Sequence, residues 1–355
     1  MCDVKNRKKS IKIRAGIIGC GKIAQVRHIP EYLANEQVQL VGYYDRNFKR
    51  AEELAERYGG KAYPDYHSLL AEEGIDAVSV CTANHLHAEI ANAALRAGKH
   101  VLCEKPMAVT MEECEAMVRT AKEMCRCLMI GQNQRFAKAH KKAKALLAEG
   151  AIGELLSFRT TFGHAGPETW SINQTGKDLW FFDEKAAGMG VMGDLGIHKT
   201  DLIQYLTGQR IREVTAKLAT LDKKDDQGRR IKVDDQAICI YTLEGGAVGT
   251  MTASWAYYGQ EDNSTILYGT RGIMRIYDSP DYSIRIFRDG ETVSYDLDRM
   301  QTNDCQTASG VIDEFVDCLF TRREALVSGE DALYAMKAVF AAIESSRSGQ
   351  AVTIL

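Results

Sequence analysis

The rhythm of apolar and polar positions changes part-way along the chain. In the first stretch, apolar runs of strand length alternate with segments of helical spacing. Ile11–Ile18 is β-rich and runs into glycines, and a helical stretch follows from about Ile23 to Ala34. Val38–Tyr44 is the next apolar strand, ending at Asp45. Phe48–Tyr58 has helical spacing (Ala51, Leu54, Ala55, Tyr58) and stops at Gly59 and Gly60, a usual C-terminal signal. Further strands are expected at Lys61–Tyr63, Ala77–Cys81, His100–Cys103 and Cys127–Ile130. Between them lie a helix that ends at Gly98 and one that Thr110 caps and that runs to about Met124. Six strands alternating with helices predict a parallel sheet covered on both faces, over residues 1–133.

Residues 134–355 read differently. A helix is expected from about Ala139 to Glu149, then strands at Leu155–Phe162, Val214–Leu218, Ala237–Leu243, Ala247–Ala256, Ser264–Tyr268, Gly272–Tyr277, Ser283–Phe287 and Thr292–Leu297. Turn residues such as Glu244-Gly245-Gly246 and Arg288-Asp289-Gly290 separate them, which predicts a mainly antiparallel sheet. Helices at about Val311–Phe320 and Ala332–Ser346 follow. The expected fold class is α/β, a doubly wound parallel sheet followed by an α+β domain.

Composition narrows the function classes. With 355 residues, two domains can each bury a core. A net charge of -3 argues against nucleic acid as a partner, since phosphate binding needs a basic surface. No stretch is apolar for the roughly 20 residues a membrane helix needs. The basic segment Met1–Ser10 has no apolar run behind it, so it reads as a solvated arm and not as a secretory signal; a cytoplasmic location is expected. Ten cysteines without an export signal read mostly as small buried hydrophobes, not as disulfides. His85 and His87 look like a metal pair on paper, but the segment lacks the paired ligand spacing of a zinc site, so no metal site is expected.

The first chemical motif is Gly19-Cys20-Gly21-Lys22-Ile23-Ala24, placed between an apolar strand and a helix. The first glycine permits a tight turn, the second lets a pyrophosphate approach the backbone, and the small third residue lets helix and strand pack. Asp45, at the end of the second strand, suits the ribose hydroxyls of NAD and disfavours the extra phosphate of NADP. Arg46 beside it keeps NADP open, as a phosphate ligand or as a stacking partner for adenine. The next strand ends lead into Thr82, Asn84 and His87, and into Cys103-Glu104-Lys105-Pro106. Asn84 is a candidate cofactor contact, a helix N-cap, or both. Glu104 and Lys105 stand at the same sheet edge, where a lysine can hold a substrate oxygen.

At these residues the chain resembles the Gfo/Idh/MocA family of NAD(P)-dependent oxidoreductases. The matching pieces are Ala15–Ala24, the Asn84 loop, Ala97-Gly98-Lys99-His100-Val101, Glu104-Lys105-Pro106, Arg135-Phe136, Glu149–Gly153, Gly193-Asp194-Leu195-Gly196-Ile197-His198 and the ending Ser345–Val352. The resemblance implies a Rossmann domain and an open second sheet that binds substrate on one face and mediates oligomerisation, as homodimer or homotetramer, on the other. It also implies that Lys105 contacts substrate and nicotinamide, that the bond to Pro106 is cis, and that Asp194 and His198 complete the site with the histidine as proton acceptor.

The residues agree with this independently. Asp194 and His198 are four apart on an expected helix ending at Gly208, so they share a face that Asp201 and Tyr205 extend. A helix N-terminus favours neutral imidazole there, while Asp194 pulls the other way. In the mechanism read from this arrangement, His198 takes the proton of a secondary alcohol, Lys105 holds its oxygen, and Asp194 orients His198 or a neighbouring hydroxyl. Trp170 and Trp180, in the loop Phe162–Phe182 with His164, Glu168 and Asp178, suit stacking on a sugar or anchoring of the loop. The expected substrates are sugars, polyols or glycosides, with oxidation of a pyranose ring hydroxyl as the specific reading. Two rivals stand beside it: a glycosidase or lyase that uses NAD transiently, and a non-catalytic nucleotide-binding sensor. The first is disfavoured by the dehydrogenase spacing of Asp194 and His198, the second by retention of Lys105 and His198.

Overall fold

The computed structural model describes residues 12–171, 179–300 and 308–354; the segment Met1–Ser10 and Asp178 lie outside the described residues. The first part runs β1 (Ile13–Ile18), α1 (Ile29–Ala34), β2 (Val38–Tyr44), α2 (Phe48–Tyr58), β3 (Lys61–Ala62), α3 (Tyr66–Leu70), β4 (Ala77–Val80), α4 (His87–Arg96), β5 (His100–Cys103), α5 (Met111–Glu123) and β6 (Leu128–Ile130). The six strands pair in parallel in the order β3-β2-β1-β4-β5-β6, so the chain reverses direction across the sheet between β1 and β4. All of β4 is buried, and so are Val101–Cys103 of β5, as helices on both faces require. Thr110 starts α5 with a capping box: its Oγ accepts from the Glu113 amide at 3.2 Å while the Glu113 carboxylate accepts from the Thr110 amide at 3.1 Å.

The second part comprises α6 (Lys138–Ala148), β7 (Leu155–Gly163), α7 (Glu184–Ala187), α8 (Ile197–Thr207), β8 (Ile211–Ala219), β9 (Gln236–Leu243), β10 (Val248–Ser254), β11 (Thr265–Gly269), β12 (Gly272–Ser279), β13 (Tyr282–Arg288), β14 (Glu291–Tyr295), α9 (Val311–Thr321), α10 (Gly329–Ser348) and β15 (Val352–Thr353). Its strands form one sheet, β14-β13-β12-β11-β7-β10-β9-β8-β15, antiparallel except where β10 meets β7. Along β9, Ala237, Cys239, Tyr241 and Leu243 point inward while Ile238 and Ile240 are exposed. The inward face carries α8, whose Thr200 hydroxyl meets that of Tyr241 at 2.8 Å. Among the strands and α-helices of the described residues, β15, α3 and α7 escape the sequence reading, each too short to show a period.

The two sheets share one buried core. The Ile130 amide at the end of β6 donates to the Val327 carbonyl at 3.1 Å, and Glu31 of α1 accepts from the Ser309 amide at 2.6 Å. No helix among the described residues is long and apolar enough to cross a membrane.

Candidate active site

The glycine loop follows β1. Gly19 has φ +92°, and a Cβ there would stand 2.6 Å from the Cys81 carbonyl, so glycine is obligatory. Gly21 differs: a Cβ would meet nothing within 4 Å, which leaves open space above the loop. Ala24 is fully buried and opens a π-helical turn, Ala24–His28, that leads into α1. Asp45 straps this loop, accepting from the Cys20 amide at 2.7 Å and the Asn47 amide at 2.8 Å. Arg46 is exposed, whereas Arg50, one helical turn on, reaches the Asp45 carboxylate at 3.3 and 3.4 Å. The guanidinium at the Asp45 carboxylate is Arg50, from the first turn of α2.

A cavity opens at the C-terminal edge of the first sheet. Lys22 and Ile23 line it from the glycine loop; Thr82, Asn84 and His87 follow β4, Glu104 and Lys105 follow β5, and Asn133 and Gln134 follow β6. The second half contributes Phe162, His164, Trp170, Trp180, Asp194 and His198. The Lys105–Pro106 peptide is cis. Lys105 Nζ donates to Asp194 Oδ1 at 2.7 Å and to the Asp194 carbonyl at 3.0 Å. The other carboxylate oxygen of Asp194 accepts from Trp255 Nε1 at 3.0 Å, and Trp255 is fully buried. Asp194 thus holds Lys105, not His198. Asp194 sits in a π-helical turn, Met192–Gly196, of the kind found at functional sites, and both it and His198 line the cavity. Asp201 and Tyr205 do not line the cavity. Asp201 lies seven residues beyond Asp194, roughly 10 Å along the helix, and forms a buried two-point pair with Arg135 at 2.6 and 2.8 Å.

His198 is buried, and its Nδ1 has no hydrogen-bond partner. Burial, reinforced by the charges of Lys105, Arg27 and Lys199, holds its pKa well below the ordinary histidine value. Burial and neighbouring cations, more than the helix start, keep this ring neutral. His164 accepts the Gly166 amide on Nδ1 at 2.9 Å, which puts its proton on Nε2; burial lowers its pKa as well. Glu104 sits beneath Lys105 with His28 at 2.9 Å and Arg27 at 3.6 Å. Burial works to raise its pKa, but the His28 hydrogen bond and the charges of Arg27 and Lys105 pull it to about 2.

The remaining loop residues are mostly fasteners. Asn84 caps no helix; its side-chain amide donates to the Ala187 carbonyl at 2.9 Å, tying the β4 loop to α7. His87 faces the Pro106 carbonyl at 2.8 Å and that of Thr82 at 3.1 Å, so it joins two loops of the cavity. His85 faces the Ala186 carbonyl at 3.1 Å. Thr82 Oγ is buried without a partner beside the open space over Gly21. Trp180 stacks on Phe181 at 3.9 Å and Trp170 meets the same ring edge-on at 5.3 Å, so the tryptophans both anchor their loop and line the cavity. The Trp170 indole N–H is buried without an acceptor. Trp255, Arg27, His28 and Gln134 escaped sequence reasoning. Nothing local marks a strand-end tryptophan as the partner of an aspartate 61 residues earlier.

Residues 13–132 match the family model described as oxidoreductase family, NAD-binding Rossmann fold, and residues 140–275 match the GFO/IDH/MocA C-terminal domain. A levoglucosan dehydrogenase of Pseudarthrobacter phenanthrenivorans is 34% identical over 247 residues, 64% of this chain and 62% of that protein, so the aligned part spans less than two thirds of it. A dTDP-3,4-didehydro-2,6-dideoxy-alpha-D-glucose 3-reductase of Actinomadura kijaniata is 37% identical over 271 residues, covering 76% of this chain and 75% of that one. The solved structure of a levoglucosan dehydrogenase in complex with NADH superposes with a TM-score of 0.85 at 27% identity, over 97% of this chain and 99% of the other.

Proposed function

Since the chain belongs to the Gfo/Idh/MocA family of oxidoreductases and carries its NAD-binding Rossmann fold, we propose that it moves hydride between nicotinamide and a secondary alcohol of a sugar, polyol or glycoside, with a ring hydroxyl of a pyranose as the reacting group. The observation that carries this reading is the convergence of Lys105, Asp194 and His198 on one cavity next to the glycine loop. The residues suit NAD: the space over Gly21 fits a pyrophosphate, and Thr82 Oγ offers a free polar contact. Asp45 serves the adenosine ribose by exchanging its long Arg50 contacts for the ribose hydroxyls. When bound, the nicotinamide supplies the hydride acceptor or donor.

Lys105 has three N–H donors, and Asp194 engages two of them. The third is left for the substrate oxygen, where the positive charge stabilises an alkoxide as it develops. Neutral His198 accepts the hydroxyl proton. Asp194, itself fixed by Trp255, aims the ammonium, and the Trp170 N–H meets a second sugar hydroxyl. The outward apolar residues Ile238, Ile240 and Val248 form the face through which the chain pairs with a second copy.

The test is spectrophotometric. Purified protein is incubated with NAD or NADP and a panel of anhydrosugars, free sugars, inositols and glycosides, and reduced nicotinamide is followed in the near ultraviolet. Signal with one sugar class and NAD is expected. Bound NAD with no net reduction across the panel would replace this reading with the transient-redox glycosidase; no nucleotide binding would overturn it.

A further inference from the structure

On the far side of the first sheet from the active site, a groove of about 1070 Å³ runs between the two halves of the molecule. Cys125, Cys127 and Cys318 all line it. Cys127 is half-buried just before β6, and its backbone is pinned to β5: its amide donates to His100 Nδ1 at 3.0 Å and its carbonyl accepts from Val101 at 2.9 Å. Cys318 is buried in α9. Their sulfurs are 3.7 Å apart although 191 residues separate them in sequence. We propose that Cys127 and Cys318 are a reversible thiol–disulfide site, oxidised by small hydroperoxides entering the groove, that staples β6 to α9.

The geometry needs little movement. Closing the sulfurs from 3.7 Å to a bond of about 2.05 Å takes side-chain rotation and a small shift of α9. The Cys318 S–H has two acceptors in reach, the Phe315 carbonyl at 3.1 Å and Cys127 Sγ at 3.7 Å. Turned toward Cys127, it holds that thiol below its ordinary pKa, while Cys318 itself is pushed up. Cys127 is then the nucleophile. Its thiolate attacks the peroxide; an S–O bond forms, the O–O bond breaks, and the departing hydroxide takes up a proton to become water. The Cys318 sulfur next attacks the sulfenic acid, losing its proton; the S–S bond forms and the S–O bond breaks, releasing a second water. Two thiols lose two electrons and two protons, and one peroxide becomes two waters.

The staple bears on the active site through β6, whose C-terminal end runs through Gly131 and Gln132 into Asn133 and Gln134 of the cavity. Among the described residues, the exposed Cys125, two residues before Cys127 and on the same groove, is the competing partner that the experiment must distinguish.

Reduced full-length protein is treated with hydrogen peroxide, quenched with N-ethylmaleimide, digested and read by mass spectrometry. The expected product is one cross-link joining the Cys127 and Cys318 peptides, reversed by dithiothreitol and retained in C125S. It should raise the Tm by roughly 5 °C, as closing so long a loop implies. In C318S, dimedone should trap a sulfenic acid on Cys127. Pairing of Cys125 with Cys127, the same cross-link yield in urea-unfolded chain, or full maleimide labelling of Cys127 after peroxide treatment each overturns the proposal. The wild-type and C125S measurements decide it even where C318S fails to fold.

Discussion

Lys105 is the residue whose surroundings say most about the reaction. Its ammonium is anchored at two points by Asp194, and the anchor is itself held by Trp255. Replacing Lys105 with Met removes the charge proposed to hold the substrate oxygen and is expected to lower kcat/KM about 100-fold or more in the sugar assay, with His198→Asn causing a similar loss. A loss under ten-fold for both would show that the acid–base roles lie elsewhere. Trp170→Phe keeps the ring and deletes the orphaned N–H. It should raise KM for the sugar about five-fold and leave kcat nearly unchanged, since one neutral hydrogen bond is worth about 1 kcal/mol. Most of these residues were legible from sequence, because each stands at a strand end or in a motif. Asp194 was legible as a candidate, with His198 or a neighbouring hydroxyl as the group it orients; its pairing with Lys105, 89 positions earlier, was not.

Elements place these residues by stopping at the right point. β1, β4, β5 and β6 all end at the cavity edge; His87 joins the loops after β4 and β5, and Asn84 ties the β4 loop to α7. Both π-helical turns, Ala24–His28 and Met192–Gly196, flank the same cavity. Sequence periodicity showed the helices but not these insertions, since one wide turn in a buried helix leaves no gap in an apolar pattern. α5 shows the opposite case. Its capping box is visible as Thr110 and Glu113 three apart, and the structure contains both hydrogen bonds. Thr110→Ala should lower unfolding free energy by about 1 kcal/mol, read as a shift of the urea midpoint with an unchanged slope.

For the whole molecule, acid and assembly are the informative variables. His87, His100, His140, His164 and His198 all have pKa values lowered by burial. A histidine that resists protonation when folded leaves stability intact above its unfolded pKa. Stability is then lost as pH falls from there toward the folded value. His140, lowered from 6.5 to about 3, accounts for about 2 kcal/mol of that loss by pH 5. The Tm should therefore fall steadily between pH 7 and pH 4, with Glu104 adding a further loss below its ordinary 4.5; a flat profile would contradict the buried neutral rings. The second variable is the outer sheet face. Ile240→Glu places a charge in the middle of the proposed pairing surface and is expected to yield monomers in analytical ultracentrifugation, with unchanged circular dichroism.

The amino-acid order by itself determined the alternation of strands and helices, the strand ends that carry Gly19, Asp45, Asn84 and Lys105, and the identity of the chemical groups. These are local properties: side-chain period, backbone permissiveness at glycine and the chemistry of single residues. Only the tertiary structure decided which group holds which. Trp255 behind Asp194, Arg50 at Asp45, Arg135 against Asp201, and Cys127 beside Cys318 join residues between 5 and 191 positions apart. Hydrogen bonds and ion pairs act over about 3 Å, so their partners are set by how the two sheets and their helices pack, and that packing is a property of the whole chain.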